Sequence, residues 1–166
     1  LMLLLLPGFV TAQKTVTFLH TNDMHAQYVP LPATWVQQTP KPMIGGMVAL
    51  DYFIRRQLEQ HPDALVLDAG DISTGTPLSK IEYKGALNGG FVEMMNLMDY
   101  DAYTIGNHEF DEGTENLKIL LDLMNFDVLG ANLRINGENP ADAPFKIYNV
   151  GDVRVGVIGL ILENLG

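Results

Sequence analysis

The chain has 166 residues, 47% apolar and 18% charged, with 16 Gly, 9 Pro and no Cys. That length and apolar content suffice to bury the core of one domain and exclude a disordered, collagenous or disulfide-stapled protein. Twenty acidic against ten basic residues leave a formal charge of −10, which repels a nucleic-acid backbone, so no nucleic-acid partner is expected and any phosphate-bearing ligand needs bound cations.

In chain order, the apolar run Leu1 to Leu6 is broken by Pro7-Gly8 and followed by Val10-Thr11-Ala12, the small residues that signal peptidase accepts. Residues 1–12 therefore read as the tail of a signal peptide, with a buried strand as the alternative. The run is too short to span a bilayer, so no transmembrane segment is expected. Export without disulfides suits a bacterial periplasm or the exterior.

Beyond residue 12 the pattern alternates. Val16 to Leu19, Leu65 to Leu67 and Ala102 to Ile105 are β-type runs. Between and after them, Met47, Leu50, Ile54 and Leu58 fall at helical spacing, as do Phe91, Met94, Met95 and Met98, and then Leu117, Leu120, Leu121 and Met124. Core packing accounts for these methionines. Strand and helix in alternation imply crossover connections, hence an α/β fold whose sheet is covered by helices. The proline-rich stretch from Pro30 to Pro42 is the expected irregular loop.

The C-terminal part changes character. Phe145 to Val150, Gly151-Asp152 and Val153 to Leu160 read as a hairpin, which is expected to make the sheet mixed. Val155 to Leu160 is nearly all apolar, as for a strand buried on both faces. Gly166 follows within a few residues, so the chain is expected to end inside a fold.

Chemistry-bearing residues cluster just past the leading strands: Asp23-Met24-His25, Gly70-Asp71 and Gly106-Asn107-His108-Glu109-Phe110-Asp111. Open α/β sheets bind ligands outside the carboxyl ends of their strands, so these three sets converge on one rim. If strand geometry persists, Asp23 and His25 point the same way and grip one ion. Asp71, after a glycine, can bridge two cations. Asn107 offers a neutral amide oxygen, and Asp111 can fix the ring of His108. Taken singly, each set has a plainer explanation. Asp23-x-His25 and Gly70-Asp71 could be ordinary turns, and Asp111 the N-cap of the following helix. Asp68 is read as a turn former rather than an acceptor behind the site, and His20 and His61 as structural.

Leu19-His-Thr-Asn-Asp-Met-His25, Leu67-Asp-Ala-Gly-Asp71 with Gly75-Thr-Pro77, Met95-Asn96 with Asp101-Ala102, and Gly106-Asn-His-Glu-Phe-Asp111 resemble the 5'-nucleotidases of the calcineurin-like metallophosphoesterase superfamily. Leu129-Gly-Ala-Asn132 and Val155-Gly-Val-Ile-Gly-Leu160 are similar to that family too. The resemblance covers residues 13–166 and implies the N-terminal portion of an incomplete four-layer α/β/β/α sandwich with mixed sheets. It also implies two divalent cations of the Zn, Mn, Mg or Co class. By it, Asp23 and His25 hold the first metal, Asp71 bridges both, Asn107 binds the second, and His108 with Asp111 forms the catalytic pair. The family's remaining ligands, a His and a Gly-His-x-His motif, lie further along, as does a C-terminal nucleotide-binding domain. The implied reaction is hydrolysis of nucleoside 5'-phosphates by a hydroxide activated between two metals. Related alternatives are 2',3'-cyclic phosphodiesterase, UDP-sugar hydrolase or thiosulfohydrolase chemistry, or a metal-binding fragment without activity of its own.

Overall fold

The computed structural model describes residues 13–163; the leader expected over residues 1–12 lies outside them. In chain order the elements are β1 (Phe18–Thr21), β2 (Leu31–Pro32), β3 (Met43–Ile44), α1 (Met47–Gln60), β4 (Leu65–Asp68), β5 (Glu82–Tyr83), β6 (Ala86–Leu87) and α2 (Gly89–Met95). They continue with β7 (Ala102–Thr104), α3 (Gly113–Leu123), β8 (Asp127–Leu129), β9 (Phe145–Val150) and β10 (Val153–Ile158). Short 3-10 turns run over Pro77–Lys80 and His108–Phe110.

A four-stranded sheet in the order β1-β4-β7-β8, parallel throughout, organises the chain. Each crossover moves one strand in the same direction, so right-handed connections put α1, α2 and α3 on one face of the sheet. Their apolar residues do share a single cluster: Met47 and Ile54 from α1, Phe91 and Met95 from α2, and Leu117 and Leu120 from α3 pack with Val66, Tyr103 and Val128 of the strands. The helical spacing in the sequence therefore marked the faces that are buried. Met98 and Met124 fall just past their helices yet still join this core.

The hairpin forms with the expected turn, pairing Val153 with Val150 and Ile158 with Phe145. It does not extend the parallel sheet. Parallel and antiparallel pairing are divided between two sheets, and β9 and β10 make a separate two-stranded layer. Gly159 follows β10 so closely against Leu129 that a Cβ there would lie 2.0 Å from the Leu129 carbonyl oxygen. Because the hairpin is its own layer, β10 is not buried on both faces. Its residues alternate between half-buried and exposed, with Ile158 outward. Helices, parallel sheet and hairpin thus supply three layers of the expected α/β/β/α arrangement.

The Pro30–Pro42 loop is irregular apart from the two-rung ladder of β2 with β3 at its ends. Strand β1 runs two residues later than the apolar run predicts, and β8 is a fourth parallel strand. No helix among the described residues is long and apolar enough to cross a membrane.

Candidate metal centre

Three loops leave the carboxyl ends of β1, β4 and β7 side by side, as parallel strands in adjacent positions require. The first lies along the second through backbone hydrogen bonds from Asp23 N–H to Gly70 O at 2.9 Å, His25 N–H to Asp71 O at 3.0 Å and Ala26 N–H to Ile72 O at 2.8 Å. The second touches the third at Gly70 and Gly106. A Cβ on Gly70 would sit 2.6 Å from the Gly106 nitrogen, and one on Gly106 would sit 2.3 Å from Asp71 Oδ1. Only glycine lets these two backbones meet.

Asp23 and His25 do come together, with His25 Nε2 3.8 Å from Asp23 Oδ1, but not by the alternation of a strand. The strand stops at Thr21, and Asp23, His25 and Ala26 all have positive φ, at 51°, 46° and 51°. A tight left-handed turn brings their side chains round instead. Asp71 also has a positive φ, 59°. Non-glycine residues in this region are strained, and their accumulation at the mouth of a parallel sheet is typical of a functional site.

His25, Asp71 and His108 each offer one ligand atom, and these atoms all lie within 4.8 Å of one another. The imidazole nitrogen of His25 with the carboxylates of Asp71 and of Asp23 beside it suit a Zn or Mn class ion, so the donor set fits the implied metal. The rings of His25 and His108 meet edge to face at 4.9 Å between centroids. His25 Nδ1 lies 3.3 Å from the Ser73 carbonyl oxygen, which leaves Nε2 toward Asp23. Asn107 stands between Gly106 and His108 and opens the 3-10 turn, its carbonyl accepting from Phe110 N–H at 3.2 Å.

His108 Nδ1 is 2.8 Å from Asp111 Oδ2. This hydrogen bond holds the His108 pKa above the ordinary imidazole range and the Asp111 carboxyl below the usual carboxylate range. Asp111 is not the N-cap of α3, since Glu112 holds that position. Asp68, the last residue of β4, accepts from Gly70 N–H at 2.9 Å, as a turn former does, and from the Thr21 hydroxyl at 2.5 Å. His20 on β1 and His61 at the end of α1 are exposed and outside the donor cluster.

One residue of the site was not singled out from sequence. Glu109 is 1% exposed. Its carboxylate accepts four backbone N–H groups, from Asp71 at 3.0 Å, Ile72 at 2.9 Å, Ser73 at 3.0 Å and Gly106 at 2.7 Å. Its place between His108 and Phe110 in the Gly106–Asp111 hexapeptide was the available signal.

Residues 16–156 match the family model described as calcineurin-like phosphoesterase. The snake venom 5'-nucleotidase of Gloydius brevicauda is 38% identical over 150 residues, covering 87% of this chain and 25% of that protein. The 5'-nucleotidase of Bos taurus is 35% identical over 159 residues, covering 87% of this chain and 26% of that protein. Among solved structures, the 5'-nucleotidase precursor from Thermus thermophilus superposes with a TM-score of 0.75 at 34% identity, covering 88% of this chain and 28% of that one. The chain thus spans about a quarter of the length of the curated relatives it matches. With the family model matching most of its residues, and with the donor-bearing loops at the ends of its parallel strands, the chain belongs to the calcineurin-like phosphoesterase family.

Proposed function

We propose that this chain supplies the first ligands and the phosphate-facing histidine of a dinuclear centre that hydrolyses nucleoside 5'-phosphates. The observation that carries the reading is the convergence of His25, Asp71 and His108 donor atoms within 4.8 Å at the rim of the sheet. The likeness to 5'-nucleotidases at 34–38% identity supplies the substrate class. In this reading Asp23 and His25 hold one cation, Asp71 is shared and Asn107 holds the second. Cations held there would polarise the phosphoryl oxygens and make a water acidic enough to serve as nucleophile.

The protein's own residues do the rest. With a formal charge of −10, the chain repels a phosphate except where cations gather, so the centre is also the place that admits substrate. The hydrogen bond that His108 Nδ1–H donates to Asp111 favours the doubly protonated form of His108. Its Nε2–H is then free to donate to the phosphoryl oxygens as negative charge builds on them. Asp111 fixes the ring and balances its charge. Neither step requires a covalent phosphoenzyme. The leader-like residues 1–12 support an exported protein.

Two measurements test this. Calorimetric titration of the chain with Mn2+ is expected to show binding that Asp71→Asn abolishes; undiminished binding in the variant would remove Asp71 from the centre. A chimera in which this chain replaces the matching segment of the Thermus thermophilus enzyme is expected to release phosphate from 5'-AMP, and to stop when a chelator is added. Turnover that persists in chelator would overturn the metal mechanism.

A further inference from the structure

We propose that Glu109 is the positioning residue of this centre: its buried carboxylate ties the loop after β4 to the loop after β7 and so sets where Asp71 and His108 stand. The proposal rests on the metal-centre reading above.

The geometry is reciprocal. Amides of the Asp71 loop, at Asp71, Ile72 and Ser73, donate to the Glu109 side chain in the other loop. In return the His108 amide donates to Asp71 Oδ1 at 2.9 Å. Each loop therefore satisfies the other's buried polar groups. Glu109 Oε2 is shared between Asp71 N–H and Gly106 N–H, the two points where the loops touch, while Oε1 takes Ile72 and Ser73.

A buried carboxylate is expensive to keep unless it is hydrogen-bonded, and an apolar side chain in its place would leave the amides of Asp71, Ile72, Ser73 and Gly106 without this acceptor. Nor could an apolar side chain fix direction. Four N–H bonds to one carboxylate, one of them from Asp71 itself, fix how the loop turns at Asp71, where φ is 59°, in a region few non-glycine residues occupy. The residue next to Glu109 is His108, so the same carboxylate anchors the turn that carries the His108 imidazole to the donor cluster. Groups that orient metal ligands in this way typically change metal affinity by about 10- to 100-fold when altered.

Glu109→Gln is nearly isosteric but sets an NH2 group against one pair of amide donors. In the full 166-residue chain, calorimetric titration with Mn2+ is expected to show affinity about tenfold weaker or more in Glu109→Gln, at a temperature where circular dichroism shows the variant folded. Leu120→Ala, a core truncation on α3 outside both loops, is the control for lost stability alone and is expected to keep wild-type affinity. Affinity in Glu109→Gln within about twofold of wild type would overturn the proposal, as would an equal loss in Leu120→Ala. Should Glu109→Gln not fold, hydrogen exchange of the wild-type chain decides. The amides of Asp71, Ile72, Ser73 and Gly106 are expected to exchange as slowly as those of β4, and exchange at loop rates overturns the clamp. A wild-type chain that binds no Mn2+ would defeat the metal-centre reading separately; slow exchange at these four amides would still uphold the clamp between the loops.

Discussion

Asp68 offers a test of how the base of the site is built. Its side chain is 4% exposed, against the Thr21 hydroxyl, which in turn lies 2.7 Å from the Tyr100 hydroxyl. Burial pushes the carboxyl from an ordinary 3.8 up to about 7, although hydrogen bonds from Thr21 and Gly70 pull the other way. The folded chain therefore holds this proton more tightly than the unfolded chain. The stability it contributes is fully present below about pH 4 and is lost as the pH rises through about 7. At ~1.4 kcal/mol per pH unit, a shift of about three units amounts to ~4 kcal/mol over that window. Asp68→Asn preserves the shape and removes the titration. Its oxygen can accept from Gly70 N–H, its NH2 can donate to the Thr21 oxygen, and Thr21 can turn its proton to Tyr100. For a domain of this size, with ~2–4 °C of Tm per kcal/mol, Tm of the variant minus that of the wild type should climb by roughly 8–16 °C between about pH 4 and pH 8. Thermal melts of both chains at half-unit intervals, without added metal, measure this directly. A difference that stays flat with pH, or falls, would refute a buried carboxyl that prefers its proton.

Two further outcomes are expected. Because the bond to Asp111 raises the His108 pKa, Asp111→Asn should lower the midpoint of the His108 ring signals in an NMR titration; an unmoved midpoint would show that the pair is not coupled. Stability drawn from that pair is present between the two titrations, fading as the pH falls through the lowered Asp111 value and as it rises through the raised His108 value, and with both side chains 40% exposed it is small. Gly106→Ala should destabilise by about 1–3 kcal/mol or more in denaturant titrations, because its Cβ has only the Asp71 carboxylate and backbone to move. Gly137→Ala, at φ 89° in open space, should cost only the ~1 kcal/mol of a left-handed alanine, and equal losses would show that the loop contact at Gly106 yields freely.

Patterning revealed the elements whose signal is local. The three helices were readable because each must bury one stripe, and the hairpin because Gly151-Asp152 joins two apolar runs at the spacing a two-residue turn needs. Strand β8 was not, since the three residues Asp127 to Leu129 are too few to show a period. Its existence depends on β7 standing ready to pair with it. The doubly buried reading of Val155 to Leu160 went wrong for a related reason: an apolar composition states what a segment can tolerate, while the hairpin's position as its own layer decides how much of it is covered.

Within the site the division is sharper. Asp23, His25, Asp71 and His108 stand out as candidates because ligand chemistry restricts residue type, and the structure brings His25, Asp71 and His108 together, yet the strand geometry invoked to join Asp23 to His25 is absent. Both sit at positive φ, as do Ala26 and Asp71, in a region that few non-glycine residues occupy. Local preference cannot predict such a turn, because the turn is imposed by partners in another loop: the carbonyls of Gly70, Asp71 and Ile72, which the first loop's amides reach across to meet. Glu109 was overlooked on the same ground. An acidic residue in a polar hexapeptide looks solvent-bound until the four amides that surround it are known, and three of those belong to residues 36 to 38 positions earlier. The residues least readable from their neighbours are thus the ones that hold the loops against their own preferences. A candidate site whose loops are held in this way depends on long-range hydrogen bonds for its shape.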